Sequence, residues 1–89
     1  MEIPSRVVIR EPEFEEQLPR LSPDAESADD FTAGAEFALA RDPQSGMPAT
    51  VDRSIWTLPM ALVGERRVSI FYAFDEKAVV LLSIVAFDD

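Results

Sequence analysis

Arg53, Arg66, Arg67 and Lys77 are the basic residues in the second half of this 89-residue chain, and Tyr72 is its one tyrosine. Fixed cations aimed at charge developing on phosphate oxygens, with a proton donor or acceptor in reach, are what phosphoryl transfer without a metal requires. Arg67, Tyr72, Arg66 and Arg53 are therefore the candidate catalytic residues. Each also has a plainer reading: charges at strand ends and turns are ordinarily solvated, and a strand tyrosine ordinarily packs in a core or at its rim. Other chemistries are closed. The chain has no cysteine and no histidine, which excludes disulfides, a thiol nucleophile, imidazole acid–base catalysis and the commonest zinc sites. Carboxylates are plentiful at Glu13, Glu15, Glu16, Asp24, Glu26, Asp29 and Asp30. Their density at helix starts is accounted for by capping, the helix dipole and solubility, and they show no calcium-loop spacing. Neither a metal nor another cofactor is expected.

Size and charge set further bounds. At 9.9 kDa with 47 % hydrophobic residues, the chain can form one modest core, so residues 1–89 are expected to be a single domain. Its formal charge is −9. The acidity is concentrated up to Gly46, where eleven acidic residues stand against four arginines; from Met47 onward six stand against four basic residues. Backbone-phosphate binding relies on clustered Lys and Arg, so a chain of pI about 4.3 is a poor candidate for general nucleic-acid binding, and a basic partner suits it better. The first fifteen residues hold no apolar core of signal-peptide length, and a cytoplasmic setting is the expectation. The apolar run from Ala78 to Phe87 is far shorter than the roughly 20 residues a membrane-spanning helix needs.

The elements that must position the candidates follow from periodicity. Arg6 to Arg10, RVVIR, predicts a first strand. Pro12 suits a first helical position, and Phe14, Leu18 and Leu21 fall on one helical face, with Pro19 expected to end or kink this helix near Leu18. Ser22 and Pro23 then predict the start of a second helix, with Ala25, Ala28, Phe31, Ala35, Ala38 and Leu39 as its apolar stripe. The segment from Asp42 to Pro48 is a break. Arg53 to Met60 predicts a strand limited by Pro59. Arg67 to Phe74 predicts another, with Val68, Ile70, Tyr72 and Phe74 on one face and Arg67, Ser69, Phe71 and Ala73 on the other. After a turn at Asp75, Glu76 and Lys77, the run Ala78 to Phe87 divides into Val80, Leu82, Ile84 and Ala86 against Val79, Leu81, Val85 and Phe87. Both faces are apolar. Helices cover one, so the other asks for another cover, either more of this chain or a partner, with Trp56, Val85 and Phe87 as candidate partner contacts.

Two segments carry a resemblance. ALARDPQSG at Ala38 to Gly46 and RRVSIFYAFDEKAVVLLSIVAFDD at Arg66 to Asp89 are similar to the helix-end turn and the closing hairpin of the RelE/ParE superfamily, small bacterial toxins of toxin–antitoxin pairs. The resemblance implies an α+β fold: strand–helix–helix, then three antiparallel strands, with both helices on one face of the sheet. For RelE-like members it implies ribosome-dependent mRNA cleavage, and for ParE-like members inhibition of DNA gyrase. It also implies a cognate antitoxin as partner. Tyr72 matches the family's hairpin tyrosine, but Ser69 stands where an arginine is usual, with Arg67 two residues further back. Trp56, Thr57 and Leu58 replace an arginine-rich stretch, and Ala86, Phe87, Asp88 and Asp89 replace a basic or aromatic tail. The expected function is that of a divergent toxin-like protein acting through protein–protein contacts, its nuclease activity weak or lost. An active mRNA endoribonuclease and a stand-alone oligomerising module are the alternatives.

Overall fold

The alternating apolar runs near the C-terminus build the centre of a five-stranded sheet. The structure, a computed structural model, describes residues 6–21, 25–63 and 66–87, with side chains described for residues 6–20, 29–59 and 67–86. Its elements run β1 (Val7–Arg10), α1 (Pro12–Leu21), α2 (Ala25–Arg41), a 3₁₀ turn (Pro43–Ser45), β2 (Met47–Pro48), β3 (Trp56–Val63), β4 (Arg66–Phe74) and β5 (Ala78–Phe87). Across the sheet the order is β1-β5-β4-β3-β2. The first strand lies parallel to β5, and the remaining neighbours are antiparallel.

The core lies between one sheet face and the helices. Phe14 and Leu18 of α1 and Ala35 and Leu39 of α2 pack with Val68, Ile70 and Tyr72 of β4 and Val79, Leu81 and Ile84 of β5, all buried. Burying apolar side chains of this size stabilises by roughly 1.5–3 kcal/mol each. A bidentate ion pair ties β1 to α2, with Arg10 Nε and Nη2 donating to Glu36 at 2.9 and 3.0 Å. It is half-exposed, so its contribution is near the modest surface value.

Several boundaries differ from the sequence expectation. Helix α1 continues through Pro19 to Leu21; Pro19 faces solvent, where its missing amide hydrogen bond is least costly. The Ser22 and Pro23 helix start lies outside the described residues. On α2 the inward face holds Phe31, Thr32, Ala35 and Leu39, whereas Ala38 is exposed. Strand β3 begins at Trp56 rather than Arg53, because residues 50 to 55 are held in a loop. Thr50 Oγ1 accepts from the amides of Ser54 and Ile55 and donates to Asp52, whose carboxylate also accepts from the Ser54 amide and hydroxyl. These bonds hold the Asp52 carboxyl below its usual range, the Thr50 hydroxyl first.

The main correction concerns β5. Its pairing shifts between Phe71 and Tyr72: Ser83 stands opposite Phe71 and Leu81 opposite Tyr72, leaving Leu82 as an extra residue. A bulge of this kind exchanges the faces beyond it. Val79, Leu81, Ile84 and Ala86 therefore share the core side, with Val80 and Val85 on the other, and the uniform alternation expected from sequence does not hold. Beside the bulge, the Ile84 amide donates to Gln17 Oε1 of α1 at 2.8 Å, which supplies an acceptor where the ladder is disturbed.

Candidate functional site

Tyr72 reaches the core because β4 alternates. Val68, Ile70 and Tyr72 point toward the helices, and Tyr72 is completely buried. Its hydroxyl donates to the carbonyl oxygen of Pro43 in the 3₁₀ turn, 29 residues earlier in the chain. Asp42 caps that turn by accepting from the Gln44 amide at 3.2 Å. Gly46 follows, where an added Cβ would lie 2.5 Å from the Tyr72 hydroxyl and 2.4 Å from the Thr57 carbonyl oxygen. The glycine is required by this close approach, since no other residue fits. Burial, foremost, raises the Tyr72 phenol above its usual value of 10.0. The group is thus a protonated donor engaged inside the fold. Phe74 completes an aromatic cluster, its ring 6.1 Å from that of Tyr72 and 5.3 Å from that of Trp56 in an edge-on arrangement.

The candidate arginines stand elsewhere. Arg67 is exposed on β4, five residues from Tyr72 and on the opposite face, a separation of roughly 16 Å at the rise of an extended strand. Arg53 is exposed in the β2–β3 loop with φ 61°, and its carbonyl accepts from the Trp56 indole at 3.0 Å. Arg66 pairs with Val63 at the start of β4, and its side chain lies outside the described residues. Lys77 is exposed at the hairpin turn. Asp75 builds that turn by accepting from the amides of Lys77 at 2.7 Å and Ala78 at 2.9 Å, bonds that hold its carboxyl below the usual carboxylate value. No arrangement in the described residues brings Arg67, Arg53 and Tyr72 to one point. Among those residues no group of three carboxylates is placed to hold a metal ion.

Of the candidate partner contacts, Trp56 is half-buried at the core rim. Val85 is exposed on the face away from the helices. Phe87 stands opposite Arg67 in the pairing, with its side chain outside the description. The register adds residues that sequence reasoning did not select. Val7 and Ile9 of β1 stand beside Ala78 and Val80 on the same side as Val85, and both are exposed. Phe71, half-buried, joins them from β4. No helix among the described residues covers this open face.

No protein-family model matches the chain, and no curated protein does. Among solved structures, the chain is similar to one in the crystal structure of the toxin-antitoxin complex RelBE2 from Mycobacterium tuberculosis. The superposition has a TM-score of 0.77, covers 99 % of this chain and 98 % of that one, and pairs residues that are 17 % identical. The chain has a RelE-like α+β fold. At that identity the likeness is one of architecture. Within the RelE-like fold, the resemblance seen in the hairpin sequence is matched by a sheet and helix layer in the expected order, plus the two-residue β2. Val7 and Ile9 reach the open face through the parallel placement of β1 beside β5, a pairing that the sequence left open. Among the described residues of this fold no helix is long and apolar enough to cross a membrane.

Proposed function

We propose that this chain is a toxin-like protein that acts by binding a protein partner of the antitoxin type across the open face of its sheet, with little or no nuclease activity. The observation that carries the reading is the division of β4: Tyr72 is buried and bonded to Pro43, while Arg67 stands on the other side of the sheet. A phenol enclosed in a core cannot pass a proton to a substrate at the surface. The fold's similarity to a chain in a toxin-antitoxin complex supports an antitoxin-type partner, and exposed Val7, Ile9 and Val85 supply the apolar area such a contact uses.

Two measurements test this. In a ribosome-programmed translation reaction the purified protein should leave mRNA intact, whereas cleavage that disappears in Arg67→Ala would establish the nuclease instead. Co-expressed with the product of an adjacent antitoxin-like reading frame, the protein should form a complex that Val85→Asp weakens by about 10-fold or more, as for an apolar contact replaced by a buried unpaired charge. A complex indifferent to Val85→Asp would remove the open face from the account.

A further inference from the structure

Helix α2 carries an outward face that the toxin-like reading does not use. Phe37 is 64 % exposed, and Asp30, Ala33, Gly34, Ala38 and Arg41 are exposed around it. At 3.6 residues per turn Asp30, Gly34, Phe37 and Arg41 form one stripe directly opposite the buried Thr32, Ala35 and Leu39. The Arg41 guanidinium lies over the Phe37 ring, 4.6 Å from its centroid, which places a positive charge on this surface. An added Cβ at Gly34 would meet nothing within 4 Å, so the surface is open there, one turn from the exposed Phe37 ring.

The stripe matches its own reverse. Asp30 and Arg41, Ala33 and Ala38, and Gly34 and Phe37 are each placed symmetrically about the midpoint between Ala35 and Glu36. Within one helix Asp30 and Arg41 are about 16 Å apart along the axis and cannot pair. Set antiparallel against a second α2, each Asp30 meets the other copy's Arg41, each Phe37 meets the side-chain-free Gly34 of the other, and the alanines let the axes approach to about 8 Å. Both the charges and the shape repeat under the two-fold axis, as an isologous contact requires.

We infer that α2 is the contact surface for a second copy of this chain, paired antiparallel about a two-fold axis facing the midpoint between Ala35 and Glu36. A single helix pair buries less than the roughly 1,200 Å² of stable interfaces, so the dimer is a weak one. This contact lies on the helix layer, away from the open sheet face, and its test involves no antitoxin.

Sedimentation velocity from about 5 to about 500 µM, with circular dichroism to verify each fold, tests the inference over the range where a weak interface is populated. Wild type should pass from monomer to dimer. Asp30→Arg and Arg41→Asp should each weaken dimerisation about 10-fold or more by opposing like charges, and the double variant Asp30→Arg/Arg41→Asp should restore it. Gly34→Leu, whose Cβ meets no atom of its own chain within 4 Å, should remain folded and monomeric. A wild type that stays monomeric throughout, a folded charge swap that does not recover, or a Gly34→Leu protein that dimerises like wild type would overturn it.

Discussion

The two faces of β4 differ in how completely the chain satisfies them. On one side Val68, Ile70 and Tyr72 are at most 1 % exposed, and the single polar atom among these side chains has its hydrogen bond. On the other, Arg67 is exposed, Ser69 is buried, and Phe71 and Ala73 are half-buried beside exposed Val85. Adjacent residues of one strand thus serve different ends. The inner face holds the turn after α2 onto the sheet through Tyr72, whereas the outer face leaves apolar surface for a partner. A tyrosine at a sequence position associated with chemistry can therefore act as a structural pin when its partner is a backbone carbonyl in the core.

Substitutions on the inner face should be the costly ones. Tyr72→Ala is expected to lose about 3–5 kcal/mol in urea unfolding, the range for removing a large buried aromatic. Tyr72→Phe, which keeps the ring and leaves the Pro43 carbonyl without its donor, should lose about 1–2 kcal/mol. A cost below a few tenths of a kcal/mol for Tyr72→Phe would show that the Pro43 hydrogen bond does not pin the turn to the sheet. Gly46→Ala forces a methyl against the Tyr72 hydroxyl and the Thr57 carbonyl, and should cost about 1–3 kcal/mol by overpacking.

The outer face should behave oppositely. Val85→Ser is expected to change unfolding stability by no more than about 0.5 kcal/mol, as for surface sites, while measurably weakening partner binding in calorimetry. Smallest is an acid effect at the hairpin turn where both faces end. The Lys77 amide first and the Ala78 amide second depress the Asp75 carboxyl below 3.8, so its contribution is present above pH 3.8 and is lost as pH falls through the folded value. The stability gap between wild type and Asp75→Asn should therefore narrow as pH drops below 3.8; a gap that widens would contradict the turn geometry.

Much of this arrangement was legible in the residues, and the exceptions have physical reasons. The alternation of β4 identified its buried face and also separated Arg67 from Tyr72, since odd and even positions of a strand face opposite ways. In β5 the same reasoning failed at Leu82. The bulge sits in a run where both faces are apolar, so an inserted residue leaves no mark in the pattern. Strand β2 has two residues, too few to show any period. The displacement of Arg53 from strand to loop follows from Thr50, Asp52 and Ser54, small polar residues whose side chains compete with the ladder for backbone bonds. Nor could sequence name the acceptor of Tyr72, because a carbonyl 29 residues away is a property every residue shares. The site candidates were legible as residue types, and the split of Arg67 from Tyr72 as strand alternation; the place of Arg53 in a loop was not.

Spectrophotometric titration of Tyr72, the one tyrosine in the chain, reads the enclosure of its phenol without interference, because tyrosinate absorbance then reports a single group. Folding that favours the neutral phenol, chiefly through burial, raises its pKa above 10.0; the associated stability is complete below pH 10.0 and is lost as pH rises through the folded value. Tyrosinate should form only together with loss of the near-ultraviolet circular dichroism signal, in one cooperative step above pH 10.0. Reversible ionisation at or below pH 10.0 with the fold intact would show a phenol open to solvent rather than pinned in the core.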